Sequence, residues 1–457
     1  MNIRKLAVGL LTATVAVAAQ ADQTNIEQRL DELEQEIRIL KRQRELEQES
    51  TAQKAKETPV IVAGKEGFAL KSADGNFALR FKGQLQVDSR WYLDDQDHNG
   101  VDTFLIRRAR PTLEGTFYKD FDFRLMPDFG NDSVTLLDAY IEWKHWQWLK
   151  VRTGKFKPPV GLEQLQDDPW TVFAERALPT DLVPNRDIGV QLGGDVWDGV
   201  VQYQVGVFNG AADNANGGID NNDGKDYEGR IFVEPFKKSD IEPLRGLGLG
   251  IAGTVGDESG SPSSPNLPTF KTTGQLTFFR YLSPSTATVT NTAVANGQHT
   301  RWTPQGYYYW GPFGLMAEYV VSDQEVEIRP GGVKTSDHIR NSAWQLTGSF
   351  VLTGEDATFR GVTPKKPFSL KDGTWGAFEL VGRYTELRVD PNAFPVFADP
   401  NKSAQQARDW GVGLNWYLNT NVRLYLNYDQ TTFDGGAAGG KNRETEHALI
   451  TRAQLRF

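Results

Sequence analysis

The sequence predicts an all-β chain, a 16-stranded antiparallel transmembrane β-barrel preceded by a short N-terminal coiled-coil helix. Three observations predict it. Apolar and polar residues alternate with a period of two over many segments of about ten residues. Short polar connections alternate with long ones, as they do where turns face one side of a membrane and loops the other. Tryptophan and tyrosine gather towards strand ends, at Trp91-Tyr92, Trp143, Trp146, Trp148, Tyr307 to Trp310 and Trp416-Tyr417, as interfacial girdles require.

The chain has 457 residues and opens "MNIRKLAVGLLTATVAVAAQADQ", with Arg4 and Lys5 ahead of an apolar run that ends in Ala19-Gln20-Ala21. That pattern is a secretory signal peptide over 1–21 with an A-x-A cleavage site, and the apolar run is shorter than a membrane-spanning helix needs. There is no cysteine, so an exported fold must hold itself by packing and backbone hydrogen bonds, which a large β-structure supplies. The formal charge of −9, less the cations Arg4 and Lys5, leaves about −11 for the mature chain. Such a chain is not expected to bind nucleic acid through bulk charge.

Residues 22–50 read as the coiled-coil segment. Ile26, Leu30, Leu33, Ile37 and Leu40 recur at alternating spacings of four and three, the seam of a coil about three heptads long. So short a helix is marginal alone and is expected to associate. Residues 51–74 read as a linker, flexible through "STAQKAKETP".

The barrel domain is assigned to 75–457. In "NFALRFKGQLQVDSRWYLD" one face carries Phe77, Leu79, Phe81, Leu85, Val87 and Trp91, and the other Arg80, Lys82, Gln84, Gln86, Asp88 and Arg90. The same alternation recurs in "FDFRLMPDF", "WLKVRTGKF", "VVQYQVGVF", "AWQLTGSFVLTG" and "DWGVGLNWYL", to about 16 strands, an even number as expected of a bacterial outer-membrane barrel. Connections near 237–245 and 353–373 are longer than the rhythm predicts. The chain ends "ALITRAQLRF", a closing strand with a terminal phenylalanine.

"FLIRRARPTLEG" (104–115) is the segment most demanding of explanation. If Ala109, Leu113, Gly115 and Phe117 face lipid, Arg108 and Arg110 face the lumen, because a cation on the lipid face at mid-membrane costs roughly 2–4 kcal/mol. Arg107 then has the wrong parity and must lie at the rim, snorkel, or mark a bulge. The same parity turns Arg80, Lys82, Arg90, Arg124, Lys150, Arg152, Arg452 and Arg456 inward, and closure sets the last strand beside the first. The expected result is one basic wall in a lumen that also carries Glu142, Glu228, Glu234, Glu318 and Glu379, and so a transverse field that favours anions on one side. The plainer reading is that the arginines pair with Asp88, Glu114, Asp122 and Asp128 and stiffen the wall.

Long blocks from residue 77 to the end, among them "FLIRRARPTLEGTFYKDFDFRLMPDFGN", "VRTGKFKPPVGLEQLQDDPWTVFAERALPTDLVPNRDIGVQL" and "LITRAQLRF", resemble the phosphate-selective porin O and P family. The resemblance implies a trimeric outer-membrane porin whose third outer loop folds inward and narrows the pore, with a periplasmic coiled coil in similar relatives. It makes Arg107, Arg108 and Arg110 the arginine-rich motif and 157–186 the constriction loop, with Lys157, Arg176 and Arg186 as its candidates. The loop departs from what a tight phosphate site needs, because Glu163, Asp167, Asp168, Glu175 and Asp181 outnumber those cations.

No catalytic residues, metal site or cofactor are expected. His98, His145, His299, His338 and His447 are scattered, and neither a G-x-S-x-G motif nor a P-loop occurs. "DNANGGIDNNDGKD" (213–226) misses the calcium-loop spacing and reads as a solvated outer loop. The expected function is passive diffusion of small hydrophilic solutes, anions such as phosphate among them, by a homotrimer in outer-membrane lipid. A barrel with a plugged lumen serving as an envelope tether, and an outer-membrane barrel hydrolase, are the alternatives.

Overall fold

The structure, a computed structural model, describes residues 26, 28–50, 59–65, 67–97, 99–218, 222–283 and 291–457. The signal segment 1–21 and most of the "STAQKAKETP" stretch lie outside them. Residues 28–50 are helical, and the seam residues Ile26, Leu30, Leu33, Ile37 and Leu40 are each at least half exposed.

Sixteen strands form the barrel. They are β1 (Phe77–Leu93), β2 (Thr103–Phe117), β3 (Phe121–Asp128), β4 (Thr135–Trp146), β5 (Leu149–Phe156), β6 (Asp187–Val196), β7 (Val201–Phe208) and β8 (Asp226–Val233). The second half comprises β9 (Leu247–Ser259), β10 (Val294–Trp310), β11 (Phe313–Ile328), β12 (Thr335–Val351), β13 (Ala377–Arg388), β14 (Ala404–Tyr417), β15 (Val422–Ala437) and β16 (Glu446–Arg456). Each pairs antiparallel with its neighbour in the chain, and β16 closes on β1 from His447↔Leu93 to Arg456↔Gln84. Closure leaves no unpaired edge, which is what a sheet in hydrocarbon requires. Phe457 continues the pairing, exchanging backbone hydrogen bonds of 3.0 Å with Gly83.

The side-chain pattern is inverted relative to a soluble sandwich. On β1, Leu79, Phe81, Leu85, Val87 and Trp91 are exposed on the outer surface while Gln86, Asp88 and Arg90 are buried inside. Aromatic contacts ring the outer surface at two levels. Trp143–Trp146 (5.2 Å) and Phe378–Trp416 (5.5 Å) lie at the short-turn end, and Trp344–Tyr384 (5.2 Å) and Trp410–Tyr428 (5.6 Å) nearer the long loops.

Four elements go beyond the sequence reading. Within the segment assigned as linker, 51–74, two short strands follow the "STAQKAKETP" stretch, Val60–Gly64 and Gly67–Lys71; "VIVAG" and "GFALK" are short apolar runs of the kind that pair. The loop 213–226 is not simply solvated: Asp213 is buried and accepts from Arg301 Nε at 2.6 Å and Ser322 Oγ at 2.6 Å. The loop after β9 holds a hairpin, Thr269–Lys271 with Thr277–Arg280, whose Phe270, Phe278 and Phe279 are at most 1 % exposed. Those rings join Leu178 and Leu182 of the 157–186 loop and wall residues Val320, Ile339, Leu387 and Ala407 in one apolar cluster. Each fully buried phenylalanine contributes about 1.5–3 kcal/mol, so the hairpin is a packed plug on the β11–β15 side. Finally, the long turn 352–376 folds towards the lumen, where Phe359 packs with Leu162, Phe232 and Met316. Between them these insertions fill one side of the lumen and leave the open space along the β1–β5 wall.

Candidate functional site

The arginine-rich segment of β2 is shaped by a bulge. In the β1–β2 pairing Gln86 faces Arg108 but Val87 faces Ile106, so Arg107 is the extra residue. A bulge of this kind re-aims a side chain, and Arg107 joins Arg108 and Arg110 on the lumen side instead of facing lipid. Of the three ways to accommodate its parity, this is the one adopted. Gly130 makes it possible: a Cβ there would lie 2.4 Å from the Arg107 carbonyl oxygen, so only glycine lets the chain leaving β3 lie against the bulge.

Residues 157–186 leave β5, enter the barrel and return to β6. Pro158, Pro159, Pro169, Pro179 and Pro184 keep the segment from continuing as strand, and it folds instead as a single helical turn (Leu162–Leu165) and two 3-10 turns, Asp168–Trp170 and Leu178–Leu182. Its carboxylates meet the basic wall. Glu175 pairs with Arg90 (2.8 Å), Arg107 (2.7 Å) and Arg452 (2.8 Å), with Arg108 at 3.7 Å. Asp168 pairs with Arg108 (3.0 Å), Arg176 (2.7 Å) and Arg110. Burial alone would push both carboxyls up, yet the surrounding arginines hold both well below the usual carboxylate range.

The loop is also tied across the lumen. Glu318 Oε2 accepts from Leu162 N at 2.6 Å, Gln345 Nε2 donates to Glu163 at 2.9 Å, Asn427 Oδ1 accepts from Ala174 N at 2.8 Å, and Arg383 donates to the Glu175 carbonyl at 2.8 Å. Open space remains along the β1–β5 wall. One cavity of about 260 Å³ lies between the loop and the outer end of that wall, and a second of about 160 Å³ lies towards Phe457. Arg110, Asp168 and Arg186 line both, which makes them the junction.

The wall cations separate into groups. Arg107, Arg108, Arg110, Arg176 and Arg186 line the outer cavity; Lys82, Arg110, Arg124, Arg186 and Arg456 line the inner one. Arg90 and Arg452 are buried behind Glu175, sharing Asp88 as a second partner. Lys150 pairs with Asp195 (2.8 Å) and Arg152 with Glu142 (2.7 Å), and neither lines these two cavities. Arg80 is exposed near the short-turn end of β1. Lys157 does not point at open space: it donates to the Gln166 carbonyl at 2.8 Å, and burial, with Arg176 and Arg186 nearby, pushes its ammonium well below the usual lysine range. The expected partners Asp88, Glu114, Asp122 and Asp128 do pair, with Arg452, Lys82, Lys144 and Arg110. The loop carboxylates Asp168 and Glu175 are the additional partners.

Sequence reasoning missed Lys271 and Asn214, which line the outer cavity from two other loops, and Lys65, which lines the inner one. It also missed Arg301, buried with Asp213 and Asp226. The available signal was "PTFKTTGQLTFF", a hairpin-like apolar alternation within a loop taken as polar.

Asp181 faces the outer cavity, accepting from Asn214 Nδ2 at 2.8 Å and Lys271 N at 2.9 Å. Burial pushes its carboxyl up to about 8, with Asp213 adding to the rise against the Lys271 backbone bond and charge. The folded value exceeds the unfolded one, so the group is neutral below that value and ionises as pH rises through about 8, adding a negative charge to the cavity. Anion preference should therefore fall between pH 7 and 9, and the reversal potential of Asp181→Asn should lack that component. An identical pH profile in the variant would refute the assignment.

A closed, lipid-facing barrel whose polar lumen is narrowed by an inward loop is the architecture of an outer-membrane porin. The family model described as "Phosphate-selective porin O and P" matches residues 79–457, and the chain belongs to that family of channels. Porin O of Pseudomonas aeruginosa is 24 % identical over 436 residues, covering 87 % of this chain and 92 % of that protein. Among solved structures, the outer membrane channel DcaP of Acinetobacter baumannii matches with a TM-score of 0.54 at 11 % identity, covering 87 % of this chain and 100 % of that one. OmpT of Vibrio cholerae matches at 0.50 and 12 % identity, covering 84 % and 98 %. These two likenesses concern the fold.

Proposed function

We propose that solutes cross this porin between the inward loop and the β1–β5 wall, and that the path prefers small anions, phosphate among them. One observation carries the reading: the two cavities share Arg110, Asp168 and Arg186 in their linings, and cations outnumber carboxylates in both. The outer cavity has six cations, Lys271 included, against Asp128, Asp168, Glu175 and Asp181. The inner has six, Lys65 included, against Glu114, Asp167, Asp168 and the terminal carboxylate of Phe457. With Asp181 neutral at pH 7 the excess in the outer cavity grows. Such an excess in a confined, low-dielectric space concentrates anions. Because most of these cations already have carboxylate partners, the field is moderate, which fits an anion-preferring pore better than a tight phosphate trap.

The functional unit on this reading is a homotrimer. Residues 1–21 are removed on export, and the exposed heptad seam of residues 22–50 is buried in a three-stranded periplasmic coil. Native mass spectrometry of the mature protein should give three chains; a monomer would overturn this part. The transport reading is tested by the reversal potential in a planar bilayer under a KCl gradient. A potential of the sign set by chloride, with chloride current reduced by added phosphate, is expected. Cation preference would reject the anion reading, and absence of conductance from folded protein would favour the tether.

A further inference from the structure

At the long-loop end of β11–β15 the outer surface carries charge where the rest of the barrel carries apolar groups. The inward positions of these strands are fixed by Glu318, Gln345, Arg383, Asn415 and Asn427, all buried. The opposite parity therefore faces outward, and along it three levels follow one another. Leu346, Leu380, Val412 and Leu426 form an exposed apolar band. Trp344, Tyr384, Trp410 and Tyr428 come next. Beyond the rings stand Arg340, Arg388 and Arg408, in register with Asp323, Ser342 and Glu386 of neighbouring strands.

Each arginine is propped by a carboxylate. Arg340 pairs with Asp323 at 2.8 Å, Arg388 with Glu386, and Arg408 with Asp434 at 2.7 Å. Exposure within the first two pairs is unequal: the side chains of Arg340 and Arg388 are 70 % and 65 % exposed, those of Asp323 and Glu386 only 13 % and 9 %. Two further cations, Arg329 and Lys334, stand on Glu327 in the same way. In these pairs the carboxylates hold the cations from beneath, and Arg408, 38 % exposed against 45 % for Asp434, extends the row, so that exposed guanidinium and ammonium groups outnumber exposed carboxylates.

Aromatic side chains mark the level where hydrocarbon gives way to headgroups. Cations just beyond it on the outside of the barrel meet the headgroups of the outer leaflet and not the solutes of the lumen. Guanidinium groups recognise phosphate with paired hydrogen bonds, and an apolar band below a cation row matches an amphiphile with acyl chains under a phosphorylated headgroup. We propose that Arg340, Arg388 and Arg408, above Trp344, Tyr384 and Trp410, form a binding site for the phosphorylated glycolipid of the outer leaflet.

The full-length protein in detergent, titrated with bisphosphorylated lipid A and followed by native mass spectrometry, tests this. The wild type should retain lipid A more tightly than a lipid of equal acyl content without phosphate. The R340Q/R388Q/R408Q variant should bind it roughly a hundredfold more weakly, at about fivefold per cation near a charged lipid surface. The corresponding triple lysine variant should lose much less. Unaltered binding in the glutamine variant, or equal retention of the phosphate-free lipid, would overturn the proposal. Inorganic phosphate displacing lipid A as well as lipid A itself would assign the row to soluble anions and also overturn it. Should the triple variant fail to fold, the single R340Q variant carries the test with a loss of about fivefold.

Discussion

Glu175→Ala is expected to give a channel with larger conductance and stronger anion preference. Glu175 is the carboxylate on which Arg90, Arg107 and Arg452 converge, with Arg108 close by. Arg90 and Arg452 keep Asp88, and Arg108 keeps Asp168, but the neighbourhood gains one net positive charge in a buried setting. Removing one partner of a buried pair costs about 3–5 kcal/mol. That cost falls on the loop, because the barrel's own hydrogen-bond ladder does not pass through Glu175. Residues near 175 should leave the wall and widen the path, while the uncovered arginines strengthen its field. Single-channel conductance and reversal potential read the two effects separately. Glu175→Gln keeps a side-chain oxygen as acceptor but loses the charge, so it should shift selectivity with little gain in conductance. If both variants conduct and select like the wild type, the loop does not border the path.

Barrel architecture was legible in the sequence because its cause is local. Alternation on β1 follows from lipid on one side and water on the other, and any one strand displays it. Inward placement of Arg108 and Arg110 followed from the same parity. Arg107 did not, because a bulge is decided by the partner strand and by the chain packed against it, here Gln86–Val87 and Gly130, which are distant in sequence. The inward loop was recognisable by resemblance, yet its acidic residues looked like a departure from an anion path. In the structure Asp168 and Glu175 are the groups that fasten the loop to the arginine wall. The plug made by Phe270, Phe278 and Phe279 was missed because a loop inside a barrel is stabilised by apolar groups on the lumen side of distant strands, such as Val320 and Leu387, which no local pattern in the loop reveals.

Arg110→Glu should reverse the selectivity of the channel or bring it near neutrality. Arg110 is one of three residues that border both cavities, and it pairs with Asp128 at 2.6 Å and with Asp168. The substitution changes local charge by two and leaves two carboxylates without their shared partner. Two charges 4 Å apart interact by about 4 kcal/mol at an effective dielectric constant of 20; screening in a wet pore reduces this to about 1–2 kcal/mol. At 1.4 kcal/mol per factor of ten, the anion-to-cation permeability ratio should fall roughly tenfold. Arg110→Gln, changing the charge by one, should give a drop of about threefold on the same scale, with less disturbance of the loop. Arg152→Gln supplies the contrast: Arg152 belongs to the same barrel wall and is ion-paired with Glu142, but it borders neither cavity. Its reversal potential should match the wild type. A graded response from Arg152 to Arg110 would place the selective step at the junction of the two cavities, whereas equal shifts from both would mean that the field of the whole lumen, and not this narrow passage, sets the preference.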